Sequence, residues 1–146
     1  MLDPVFGPHA DRAHEEVVTS EQLQAAAGGE SRDPGGQRAA VSNAMVGLKK
    51  EFYGKGPTAA KTYFNDDWVF TVLEGGLTRN EETLLSAGDH ELVRTVRLRF
   101  QDVMSTTICS VVGEIMGRKV LTYHSQILFD PVRTVEMFLL EPTEEG

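Results

Sequence analysis

Apolar positions along this chain follow two rhythms. Val41, Ala44, Met45, Leu48 and Phe52 recur at spacings of three and four, which places them on one face of a helix. Gly54 is expected to stop that helix, because glycine takes the left-handed conformation that commonly follows a helix end. The rhythm then changes to Ala60-Lys-Thr-Tyr-Phe64 and Trp68-Val-Phe-Thr-Val-Leu73, two aromatic and β-branched runs around Asn65-Asp66-Asp67. This reads as a β-hairpin, with Trp68, Phe70 and Val72 on one face of its second arm. After Gly75-Gly76, Thr78 and Glu81 have the spacing of a capping box, so a short helix is predicted as far as Ala87. A long helix is then predicted over 89–116. Its apolar stripe is Leu92, Val93, Val96, Phe100, Val103, Met104, Ile108, Val111, Val112 and Ile115. Val120–Phe129 and Arg133–Leu140 read as a second hairpin turning at Asp130-Pro131.

The order predicts an α+β fold. Its expected form is a four-stranded antiparallel sheet built from two β-hairpins, with an N-terminal helix and a long central helix packed on one face. A faint internal repeat accompanies it: Tyr53-Gly-Lys precedes Thr62-Tyr63, and Met116-Gly-Arg precedes Thr122-Tyr123. The long helix, at 1.5 Å per residue, is on the order of 40 Å long, more than a four-stranded sheet needs to cover it. Its surplus apolar surface is expected to pair two copies, giving a homodimer through 89–116.

Composition alters the picture at the N-terminus. Residues 1–36 hold seven acidic residues against Arg12 and Arg32, and end in Gly-Gly-Glu-Ser-Arg-Asp-Pro-Gly-Gly, a linker-like run. They are read as a largely disordered acidic tail, with a short helix started by Thr19 and Gln22. The folded domain is 37–141 and a polar tail covers 142–146. The net charge of −8 and the pI near 4.9 exclude bulk attraction to nucleic acid or anionic lipid. One cysteine, Cys109, allows no internal disulfide and suits a reducing cytoplasm. The opening MLDPVFGPHADRAHEE does not read as a signal peptide. The longest uncharged apolar run, Val103–Gly113, is far short of the roughly 18 residues a span requires. The expectation is a cytoplasmic protein with no direct membrane insertion, peripheral to a membrane only through a partner.

Candidate chemistry is sparse. Gly54-Lys-Gly-Pro57, with Lys49, Lys50 and Lys61 nearby, admits two readings. One is a helix stop whose lysines complement the helix dipole. The other is a corner where Gly56 lets an anion or partner approach and Lys55 and Lys61 supply charge. It is not a phosphate-binding P-loop, which needs a strand before the glycines and a helix after them. Arg94 and Arg97, with Arg99, read as a solvated face balanced by Asp89, Glu91 and Asp102, or else as a second anion or partner patch. Asp66, Asp67 and Asp130 read as turn residues. His9 and His14 lack a third ligand for a metal. Cys109 reads as a packed thiol. His124 is the one candidate for a small enzyme, yet Ser125 beside it on a strand points the other way. No catalytic residue, metal site or cofactor is assigned.

Val41-Ser-Asn-Ala-Met45, Phe52-Tyr-Gly-Lys-Gly-Pro57, Lys61-Thr-Tyr63, Val72-Leu-Glu-Gly75, Leu77-Thr78 with Glu81 and Leu84, Gly117-Arg118 and Glu136-Met-Phe-Leu-Leu-Glu141 together resemble the MpsC-like domain family. The resemblance covers 37–141. It implies a soluble accessory to a sodium-translocating, membrane-potential-generating system that also bears on bicarbonate uptake, with a membrane ion-transport subunit as partner. It carries over no catalytic residues. The expectation is therefore a non-enzymatic accessory or regulatory domain. The alternative is a sensor of a small anion or nucleotide at the Gly54–Pro57 corner, and the second alternative an enzyme using His124.

Overall fold

The computed structural model describes residues 33–143 and, as backbone, residues 16–19. His9, His14 and the pairing of Thr19 with Gln22 lie outside the described residues. In chain order the elements are β1 (Glu16–Thr19), α1 (Pro34–Tyr53), β2 (Ala59–Asn65), β3 (Trp68–Glu74), α2 (Arg79–Ser86), α3 (His90–Met116), β4 (Val120–Leu128) and β5 (Arg133–Leu140). The two predicted hairpins form one antiparallel sheet with α1 and α3 packed against it. A fifth strand, β1, joins at the β2 edge, giving the order β1-β2-β3-β5-β4. β1 lies inside the segment read as an acidic tail; Glu16-Val-Val-Thr19 is too short to show a period, and its pairing with Ala59–Thr62 is set by the sheet edge.

Local chemistry explains the boundaries. α1 starts three residues before the predicted domain start, because Asp33 caps it by accepting the Gly36 N–H at 3.1 Å. Pro34 then occupies the first turn, where its missing N–H costs nothing. Gly54, at φ 80°, ends α1 and donates its N–H to the Lys50 carbonyl at 2.8 Å. Thr78 and Glu81 form the reciprocal capping box at the start of α2. The β2–β3 loop is Asp66-Asp67, with Asp66 left-handed at φ 54°, a conformation aspartate tolerates better than most residues. Asp67 also takes the Arg118 guanidinium, which ties this turn to the end of α3.

The sheet face that meets the helices carries Val69, Leu73, Phe138 and Leu140, packed on Val41, Met45, Met104, Ile108 and Val112. Trp68, Phe70 and Val72 share the other face, as period two requires, and stand half-buried there with the Trp68 and Phe70 rings stacked at 5.9 Å. One row of the helix-facing side is polar. Thr62, Thr71, Glu136 and Ser125 are successive cross-strand partners on β2, β3, β5 and β4. Thr62, Thr71 and Glu136 are fully shielded from solvent.

Candidate functional site

Three charged side chains, Arg38, Lys49 and Arg97, sit where helix periodicity puts the core. On α1 the buried positions are Arg38, Val41, Ser42, Met45 and Lys49, and on α3 they are Val93, Arg97, Met104, Ile108 and Val112. Lys49 and Arg97 therefore face inward and need partners, since an unpaired buried charge is very costly. The polar row supplies one. Lys49 Nζ lies 3.2 Å from Glu136 Oε2. Ser125 Oγ donates to the same oxygen at 2.5 Å and Tyr123 donates its hydroxyl to Oε1. Further along the row, the Thr62 hydroxyl bonds those of Ser42 at 2.6 Å and Thr71 at 3.0 Å.

Arg97 finds its partner in the capping box. Its Nε and Nη2 donate to the two oxygens of Glu81 at 2.6 Å each, and Nη2 also reaches the Gly76 carbonyl at 3.2 Å. Burial alone would raise the Glu81 pKa, but the Arg97 hydrogen bonds and the Thr78 N–H outweigh it and hold the carboxyl below its ordinary value. Burial would likewise lower Arg97, and the same bonds to Glu81 carry it above its ordinary value. The Arg97 guanidinium lies 4.3 Å from the Tyr53 ring centroid, and Lys49 Nζ 5.6 Å from it. Burial pushes the Tyr53 hydroxyl up to about 12. Tyr123 is pushed further in the same direction, by burial and by the Glu136 carboxylate. Both are neutral hydroxyls at physiological pH.

These groups border a cleft of about 210 Å³ between α1, α3 and the β4–β5 end of the sheet. Lys49, Tyr53, Arg94, Arg97, Leu98 and Gln101 are among the residues that line it. The cleft brings together the predicted Arg94 and Arg97. It does not include Gly54, Lys55, Gly56, Pro57 or Lys61. The expected solvated arginine face is corrected for Arg97, which is 9% exposed and pairs with Glu81, whereas Arg99 is exposed. Arg94 pairs with the exposed Glu91 and lies 5.1 Å over the Phe129 ring.

The Gly54–Pro57 corner is a packed helix stop. A Cβ on Gly56 would meet the Lys50 Cβ at 3.1 Å and the Val46 carbonyl at 3.3 Å, so the close approach that glycine permits there is to α1. Pro57 is buried and backs onto Gly76. Lys55 is exposed, and Lys61 lies 5.3 Å over the Tyr63 ring on β2.

His124 is exposed, with Nε2 3.1 Å from the Thr122 hydroxyl, whereas Ser125 points to the opposite face and donates to Glu136. Burial raises the Cys109 thiol pKa. No group of three or more metal-ligating side chains converges among the described residues. None of their helices is long and apolar enough to cross a membrane.

The helix-on-sheet architecture defines an α+β domain with a cationic cleft at one end. The family described as "Na+-translocating membrane potential-generating system (MpsC)" matches residues 35–142, and the chain belongs to that family. A relative in Bacillus subtilis (strain 168), described as "Uncharacterized protein YrhF", is 28% identical over 96 residues. Those residues are 64% of this chain and 79% of the relative. No solved structure matches the chain.

Proposed function

We propose that this chain is a non-enzymatic accessory domain that docks on a protein subunit of a Na+-translocating, membrane-potential-generating system. The observation that carries this reading is the family match, which spans α1 to β5. The absence of a membrane-crossing helix among the described residues favours action through a partner. The chemistry of the interior favours a binding role over a catalytic one. Tyr53, Tyr123 and Cys109 are held protonated, and His124 lies on the other side of the sheet from Glu136. The proposed contact surface is the corner with exposed Lys55, together with Lys61 of β2, at the cytoplasmic side of the membrane. Pairing of two copies uses the exposed side of α3.

The test is capture from detergent-solubilised membranes of the native host, with the full chain as bait beside a Lys55→Glu, Lys61→Glu variant. A polytopic ion-transport subunit should be retained by the wild type and lost with the variant. Retention by both would move the surface elsewhere on the domain. Retention by neither would overturn the accessory reading. The alternative of an anion held at the Gly54–Pro57 corner draws no support from packing, because α1 fills the approach to Gly56.

A further inference from the structure

The cleft between α1 and α3 has a chemistry that partner docking does not require. Its charged lining residues are Lys49, Arg94 and Arg97, all cations. The carboxylates that balance the two buried ones do not line it: Glu136 is fully shielded behind Lys49, and Glu81 is 6% exposed behind Arg97. Both arginines that line the cleft keep hydrogen-bonding capacity. Arg97 commits Nε and Nη2 to Glu81 and Gly76, and Nη1 has no partner among the described residues. Among the described residues the carboxylate paired with Arg94 is Glu91, whose side chain is 83% exposed. A pair of that kind is weak and readily exchanged for a better-placed anion. Phe129 beneath Arg94 keeps the guanidinium at the cleft rim. Leu98, half exposed, and the Tyr53 ring add apolar wall beside the cations.

We infer that this cleft is a binding site for a small organic oxyanion, held by Arg94 with Arg97 Nη1 as the second donor, its apolar part lying against Leu98 and Tyr53. A guanidinium fits two oxygens of a carboxylate or phosphate at once, which a lysine at the rim would not. The volume of about 210 Å³ suits a ligand of a few heavy atoms. The inference does not rest on the accessory reading: a domain with no membrane partner could hold the same ligand.

The test is a titration of isotope-labelled full chain with acetate, benzoate and inorganic phosphate, followed by NMR. Saturable shifts are expected at the Arg97 and Gln101 side chains and along the first half of α3, with benzoate tighter than acetate. Arg94→Gln should weaken the dissociation constant about tenfold, the loss of one charge-assisted hydrogen bond. Lys55→Glu should leave it unchanged. Arg94 is partly exposed, so this variant keeps the fold; its melting temperature, matched to wild type without ligand, verifies that. Three results would overturn the assignment. One is no saturation with any probe by about 50 mM. Another is shifts confined to the Lys55 corner. The third is wild-type affinity in Arg94→Gln.

Discussion

Lys49 decides how the interior of this domain is organised. It stands at a core position of α1, and Glu136 answers it from the polar row of the sheet with three donors converging on one carboxylate. Replacing Lys49 by methionine alone would leave a carboxylate buried without its counter-charge. The expected loss is about 3–5 kcal/mol of stability in urea unfolding, and the Lys49→Met, Glu136→Leu double variant should recover a substantial part of it. A single variant as mild as a surface substitution, under about 0.5 kcal/mol, would mean the pair is not desolvated as the structure has it. Tyr53 gives the interior a pH limit. Its hydroxyl is raised from 10.0 to about 12, first by burial, so the fold holds the neutral form. That contribution is fully present below pH 10 and is lost as pH rises from 10 through 12. Glu81 acts oppositely. Its lowered pKa contributes stability above the ordinary carboxylate range, lost as pH falls through the folded value. Circular dichroism followed beside tyrosinate absorbance should show unfolding coupled to tyrosine ionisation at the alkaline end. Ionisation of every tyrosine with no loss of ellipticity would contradict the burial of Tyr53.

Elements show which parts of a sequence speak for themselves. Both hairpins, the capping box and the two main helices were legible, because period and turn chemistry are local. In sequence Asp33-Pro34 belongs to a glycine-rich, linker-like run, yet Asp followed by Pro is also a helix start, and here α1 packing on the sheet selects that meaning. The stop of α1 offers a direct comparison. Gly54→Ala meets no atom within 4 Å but must hold φ +80°. Its expected cost is that of a left-handed residue, about 1–2 kcal/mol. Gly56→Ala has no such φ but drives a methyl group to 3.3 Å from the Val46 carbonyl, which belongs to helix backbone and cannot swing away. Overpacking of this kind costs about 1–3 kcal/mol. Asparagine, which tolerates the left-handed region, should therefore restore stability at Gly54 and not at Gly56. Equal rescue at both positions, by thermal unfolding, would remove the distinction between a conformational and a packing glycine.

Taken whole, the molecule hid its cleft from sequence reading because Lys49, Arg97 and Glu136 belong to three elements whose register only the folded sheet sets. A signal was nonetheless present. Each of the three interrupts an apolar pattern at a core position, and a charge there predicts a buried partner elsewhere. The same reading separates the single apolar stripe that the sequence predicts on α3. Val93, Met104, Ile108 and Val112 face the core, whereas Leu92, Val96 and Val103 are 49%, 39% and 57% exposed. The second group is the surface available for pairing copies of the chain. It lies outward from the sheet, so changing it should leave the fold intact, within about 0.5 kcal/mol for each surface position. Leu92→Glu with Val103→Glu places like charges against each other across any symmetric contact, where self-complementarity doubles every repulsion. Sedimentation equilibrium should then give twice the 16.1 kDa chain mass for the wild type and the single mass for the variant. A wild type that sediments at 16.1 kDa across the accessible concentration range removes pairing through α3. It would leave Leu92, Val96 and Val103 as the apolar face to examine for contact with a membrane subunit.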